Sequence, residues 1–484
     1  WEGRPIEIFT TRADSSESRS LGLANADVLA ISSQGELAVS LGRHYIFGFQ
    51  SVGTLARVPL AGGAPRELLE NVEDADWSPD GASLAVTRQV GNRGRVEYPI
   101  GKVLFDNAGW VNHVRVSPNG RLVAFSDHPQ KGDSNANVKV VDTAGKVILT
   151  GPYVIGGLAW SARGDEVWSG DRSGITATTL SGKSRRVWLA PGGNIGDVAR
   201  DGRALVLLNS SRREIVSLAK SEKEERNLTW LNWSFPADLS PDGKTLLFTE
   251  QNTEPPAVYL RKLDGSPAVR IGEGTAVAFS PDGQWILATP DFDGNQFELL
   301  PTGAGEPKVL PKTGLACQSG GWLPDGRRFL SVCSEPGHGF RVFVNDVAGG
   351  KPRPITPEGV NFIFAGITPD GKSFTATGPD RRIAIYPVEP GEPRPLPGME
   401  PEDIVLRWTP DGKGIFVYRP SAPPLRVEIV DPQSGRRTLW KEIRPADPSG
   451  VEQVGPIIIA PDESTYVYSY RRSLDDLYLE TGLK

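Results

Sequence analysis

An all-β chain is predicted by three observations. A five-residue turn recurs along almost the whole length. Short alternating apolar runs lie on either side of each copy. No long amphipathic helical pattern interrupts them. The turn reads WSPDG at 77–81 and returns as VSPNG, LSPDG, FSPDG, LPDG, TPDG and WTPDG.

The turn's last residue falls at Gly35, Gly81, Gly120, Gly164, Gly202, Gly243, Gly283, Gly326, Gly371 and Gly412, with a degenerate copy, APDE, ending at Glu463. The average spacing is about 43 residues, a period that fits one four-stranded propeller blade per repeat. An apolar run precedes each turn, as in AVAFSPDG, and a second follows, as in TLLFT. A third carries a β-rich stretch such as FRVFVNDVAGG (340–350), and a fourth such as PRELL ends the unit. Hairpins joining four short strands make one antiparallel blade.

The turn chemistry is local. Pro79 presets φ for a corner, Asp80 can accept from nearby amides, and Gly81 can enter the left-handed region. The same roles fall to Asp242 and Gly243, Asp282 and Gly283, Asp325 and Gly326, Asp370 and Gly371, and Asp411 and Gly412. A ring of metal-binding carboxylates is the functional reading of these aspartates. Stabilisation of each turn by its own aspartate is the reading we adopt, on the expectation that adjacent blades hold successive turns apart.

Eleven copies exceed the four to eight blades of one ring. The start, PIEIFTTR then SRSLGL, reads as a third and fourth strand whose first two would lie upstream of Trp1 or come from the C-terminus. Counting this partial blade gives twelve units, divided most evenly into two six-bladed rings, residues 1–235 and 236–484. The boundary is set at the charged run and tryptophans of SEKEERNLTWLNWSFP. Five plus six, or one open ring, are the alternatives. In the tail, Tyr466, Tyr468 and Tyr470 share one strand face.

Composition narrows the function. The 484 residues carry 53 basic and 59 acidic side chains, net -6, with no broad footprint for nucleic acid. No apolar run approaches a membrane span, and Trp1 does not open a signal peptide. Neither a GxSxG elbow, an HExxH helix, a P-loop nor a dinucleotide fingerprint occurs. We therefore assign no catalytic residue, no cofactor and no metal. DFDGN (291–295) resembles a metal loop only faintly and reads as a hairpin. Of the four histidines, His113 in VNHVRVSPNG is the candidate for a funnel, and His338 reads as a loop residue. Cys317 and Cys333 flank Asp325 eight residues to each side. A cross-strand disulfide, which would imply an oxidising compartment, and a pair of buried thiols are both open.

FSPDGQWIL, LSPDGKTLLF and AGGAPRELL resemble the repeats of TolB-like (WD40-like) propellers, over nearly the whole chain. PIEIFTTRADSSESRSLGLANADVLAISSQGELAVSLGR and YVYSYRRSLDDLYLETGLK look like the C-terminal region of bacterial, especially acidobacterial, serine/threonine protein kinase-related proteins. That resemblance implies an absent upstream kinase domain and membrane segment. It also implies an extracytoplasmic (periplasmic or cell-surface) sensor that binds a protein, peptide or small molecule, with dimerisation as one route to a signal. Membrane contact would come only through the upstream segment. The alternatives are a propeller hydrolase or lyase with a funnel site, and a TolB-like envelope accessory protein.

Overall fold

The computed structural model describes residues 6–12, 15, 17–47, 49–91, 93–130, 135–171, 173–290, 296–361, 366–400, 402–420 and 424–483; DFDGN lies outside them. Every regular element among these residues is a β-strand, and all pairings within the sheets are antiparallel except one isolated bridge between Arg213 and Trp233. No helix is long and apolar enough to cross a membrane.

Contacts divide the chain into two compact units. Ser211–Ser473 forms one, which we call the second unit. The described residues from Ile6 to Ser210 and from Leu474 to Leu483 together form the first. The sequence placed the division at 235–236. It falls earlier, inside the continuous strand Ala204–Leu218, and a second crossing lies inside the strand Tyr466–Glu480. Both strands alternate without Pro or Gly, so no local signal marks where the chain changes unit.

The second unit contains six sheets. Five follow in chain order, beginning at Ser234–Leu239, Thr275–Phe279, Ala316–Trp322, the bridged residues Asn361 and Ile367 ahead of Ser373–Thr377, and Ile404–Trp408. The sixth joins Val451–Ile459 and Tyr466–Glu480 from the end of the unit to Ala204–Leu218 and Arg226–Asn227 from its start. Each consecutive pair of sheets shares a buried apolar cluster. The cluster of Ile215, Leu239, Leu246, Phe248 and Val467 joins the sixth sheet to the first, which closes the ring. Closure by strands from both ends removes a free sheet edge. The tyrosine face sits at this seam: Tyr466 and Tyr468 donate to the two oxygens of Glu225, at 2.7 and 2.8 Å, and Tyr470 donates to Glu214 at 2.7 Å.

The first unit opens with the two-stranded sheet Glu7–Thr11 and Ser18–Ala24. A seven-stranded sheet follows, in which Arg66–Trp77 is the outer strand of one blade and the inner strand of the next. Two four-stranded sheets come after it, and then Gly193–Val198 paired with the start of Ala204–Leu218. The C-terminal strand serves this last sheet and not the N-terminal pair.

The ten turn glycines all have φ between +66° and +87°. Contrary to expectation, successive turns touch. A Cβ on Gly371 would stand 2.7 Å from Cδ of Pro324 in the preceding turn, and one on Gly164 would stand 3.1 Å from Cδ of Pro118. Gly120 over Pro79 and Gly283 over Pro241 repeat this contact, whereas a Cβ on Gly326 or Gly412 would meet nothing within 4 Å. Glu463 holds the same left-handed conformation, φ +57°, with a Cβ. Glu463→Gly should relieve about 1 kcal/mol of that strain, less the entropy a glycine adds to the unfolded chain. A net gain of about 0.5 kcal/mol in urea denaturation is the expected result, and a loss would contradict it.

Candidate functional site

The turns occupy one end of every blade, joining its first strand to its second. The opposite end is built from the links between second and third strands and between blades, and these vary in length and sequence. A concave site lies at that end of the first unit, a cavity of about 180 Å³. Phe49 and Ile155 stand exposed at its mouth, and Asn112, His113, Ser126 and His128 form its polar wall.

A backbone irregularity aims these side chains. Strand Trp110–Val116 pairs with Leu122–His128, but its register slips between Asn112 and Arg115. Such a bulge re-aims a side chain. His113 lies in the bulge with φ +51°, a region sparsely used by residues with a Cβ. Its backbone N–H donates to Oδ2 of Asp74 at 2.8 Å, which anchors the bulge to the preceding blade. Its Nδ1 lies 3.4 Å from Oγ of the buried Ser126. Burial pulls the imidazole's pKa down, and Arg115 and Arg43 add to this against the opposing pull of Asp74. His113 is therefore neutral at pH 7, one ring nitrogen donating and the other accepting.

His128 is held differently. Its ring stacks on Trp110 with centroids 3.7 Å apart, and Nε2 meets Oδ1 of Asn112 at 3.0 Å. Trp110 is fully buried, so it supports the imidazole from behind. The cavity therefore offers an apolar rim over a wall of polar side chains. Such a site suits a small side chain or planar group that is mostly apolar and carries one or two hydrogen-bonding atoms.

The sequence singled out His113 alone here. Trp110, Asn112, Ser126 and His128 gave no motif, because they come from two strands and meet only through the pairing. His338 is at the surface and pairs with Glu358 at 2.7 Å.

The turn aspartates are engaged by their own turns. Ser78 donates to Asp80, Ser240 to Asp242, Ser280 to Asp282, Thr368 to Asp370 and Thr409 to Asp411, at 2.5–2.7 Å. These hydroxyl bonds, with backbone amides, hold the five carboxyls below their usual pKa. Asp325 lacks the hydroxyl because Leu323 replaces it. Burial works upward there, but the amides of Arg328 and Arg327 and the Arg328 guanidinium bring its pKa down. Among the described residues no group of three His, Cys, Asp or Glu could hold a metal ion.

Cys317 and Cys333 face each other across paired strands and are joined as a disulfide, so both cysteines are bonded. The cluster around them includes Phe297, Leu299, Phe329 and Phe343. The tryptophans before the turns also join blades: the indole N–H of Trp160 donates to Arg115 O at 3.0 Å, and that of Trp408 to Gly366 O at 3.1 Å.

No protein-family model matches the chain, and no curated protein matches it. Solved structures do. A protein described as TolB from Agrobacterium tumefaciens is 20% identical, with a TM-score of 0.39 over 55% of this chain and 99% of its own. TolB from Acinetobacter baumannii is 14% identical, with a TM-score of 0.26 over 80% of this chain and 78% of its own. Oligogalacturonate lyase from Vibrio parahaemolyticus is 12% identical, with a TM-score of 0.36 over 57% of this chain and 76% of its own. At these levels no residue and no activity carries across to this chain.

Proposed function

We propose that this chain is a non-catalytic recognition module. It would be the extracytoplasmic, ligand-binding part of a receptor-like serine/threonine kinase-related protein. The observation that carries the reading is the cavity at the variable end of the first unit, with polar side chains under an apolar rim. A peptide side chain or a small molecule fits that chemistry. The Cys317–Cys333 disulfide supports an oxidising compartment. Signalling through dimerisation and an upstream membrane segment belongs to the same proposal. A TolB-like envelope accessory would use the same cavity without the kinase.

A screen of peptides and small molecules against the whole chain, read by thermal midpoint and calorimetry, tests this. Asn112→Ala and Phe49→Ala should each weaken a true ligand at least tenfold without lowering the unliganded midpoint by more than a few degrees. Absence of any ligand, or binding indifferent to both changes, would count against the reading.

One observation favours a hydrolase as the second reading, the proximity of Ser126 Oγ to the neutral His113. Ester turnover abolished by Ser126→Ala would establish it. Retained binding without turnover would leave recognition as the function.

A further inference from the structure

A second site lies in the second unit, around a guanidinium that has no counter-ion among the described residues. Arg213 is only 5% exposed. It sits at the end of its blade opposite the turns, where its backbone N–H donates to Asn232 O at 2.8 Å. Its side chain crosses the sheet, and Nη1 donates to Gly455 O at 2.6 Å and Ser469 Oγ at 3.0 Å. The Phe235 and Trp233 rings stand 4.1 and 6.0 Å from Cζ. Nε has no hydrogen-bond partner, and among the described residues no carboxylate pairs with the group.

The surroundings sharpen this. Burial and the like charge of Arg471 lower the pKa of Arg213 to about 10, with Tyr418 pulling the other way. The group is still fully charged at pH 7. Arg471 itself pairs with Glu452 at 2.6 Å. A buried, uncompensated cation is strongly destabilising, and a protein that keeps one has a use for it or a partner that neutralises it.

The orientation of the fork indicates which partner. With Nη1 occupied by Gly455 and Ser469, the remaining donors are on the edge formed by Nε and Nη2. Those two N–H groups are parallel and match the two oxygens of a carboxylate. A flat carboxylate matches two parallel N–H groups in shape; a tetrahedral phosphate is bulkier and more strongly hydrated.

We propose that Arg213 is the anchor of a carboxylate-binding site, with the acid group of a small organic acid or of a peptide C-terminus held on its Nε–Nη2 edge. The flanking Phe235 ring fixes the plane of the guanidinium, and Arg471 adds to the positive field.

The test uses the full chain and its thermal midpoint. Sodium acetate, sodium phosphate and sodium chloride are titrated at matched ionic strength, alongside triglycine with a free or an amidated C-terminus. A saturable rise with acetate or free triglycine, absent with chloride and amide, is the expected result. A response to triglycine well above acetate assigns the site to peptide ends; the reverse assigns it to small acids. Arg213→Lys, which keeps the charge but loses the fork, should weaken the response at least tenfold, and Arg213→Met should remove it. No saturable rise with either carboxylate, an equal rise with phosphate or chloride, or an unchanged response in Arg213→Lys would overturn the proposal. The lysine variant keeps the test valid should the methionine variant fail to fold.

Discussion

Arg472→Leu should destabilise the second unit by about 3 kcal/mol, the lower end of what breaking a buried ion pair costs. Arg472 Nε donates to Glu214 at 2.9 Å, and both side chains are almost fully buried, 5% and 6% exposed. The same guanidinium reaches Asp447 and the carbonyl of Ser449. These bonds tie the strand Tyr466–Glu480 to the strand Ala204–Leu218 at the ring closure. Removing the guanidinium strands a buried carboxylate. The lower end applies because Arg212, at 2.8 Å, and the Tyr470 hydroxyl still serve Glu214. Burial alone would raise the Glu214 pKa, but Tyr470, Arg212 and Arg472 outweigh it and bring it below the usual value. Its folded pKa is therefore the depressed one. Its stabilisation is present above the unfolded pKa and is lost as pH falls through the folded one. The gap between wild type and Arg472→Leu should thus be full at pH 7 and shrink towards pH 3. Urea midpoints across that range measure it; a gap below 1 kcal/mol at pH 7 would sink the account.

The paired substitution of Cys317 and Cys333 by serine is the other large effect. The bond closes a loop of sequence separation 16, and a loop of that size is worth about 3 kcal/mol by chain entropy. Two hydroxyls left in an aromatic cluster add to the loss. Urea denaturation of the oxidised chain, the reduced chain and the double serine variant should rank them in that order of falling stability. Cys317 is 5% exposed and Cys333 is fully buried, so a mild reductant should act only where the chain unfolds. Two thiols titrated in denatured protein that has never met reductant would rule the bond out.

Much of the fold was legible because its signals are local. Pro79, Asp80 and Gly81 specify a turn within five residues, and repetition did the rest. The turns' contact with one another was not legible, since Gly371 meets Pro324 across 46 intervening residues. Ring closure was legible only as a requirement. Nothing in ALVLLNSSRREIVSL shows that the strand changes unit at its middle. Arg212 and Arg213 look like one surface pair, yet strand alternation sends the first outward and the second inward. Arg437 stands beside Arg436 in the sequence like a surface charge, yet pairs with Asp403 at 2.7 Å, a carboxyl with no exposed surface. The cavity was the least legible feature. His113 was visible beside its turn, but its companions depend on a register slip that no residue type announces.

The second unit is nested between two parts of the first. A ribosome therefore delivers all of residues 211–473 before it releases Leu474. The second unit can close its ring while the first still waits for the segment Leu474–Glu480. Through that interval Ala204–Ser210 presents a bare sheet edge, the surface most prone to pair with another nascent chain. Synthesis of Leu474–Glu480 covers that edge and ends the exposure.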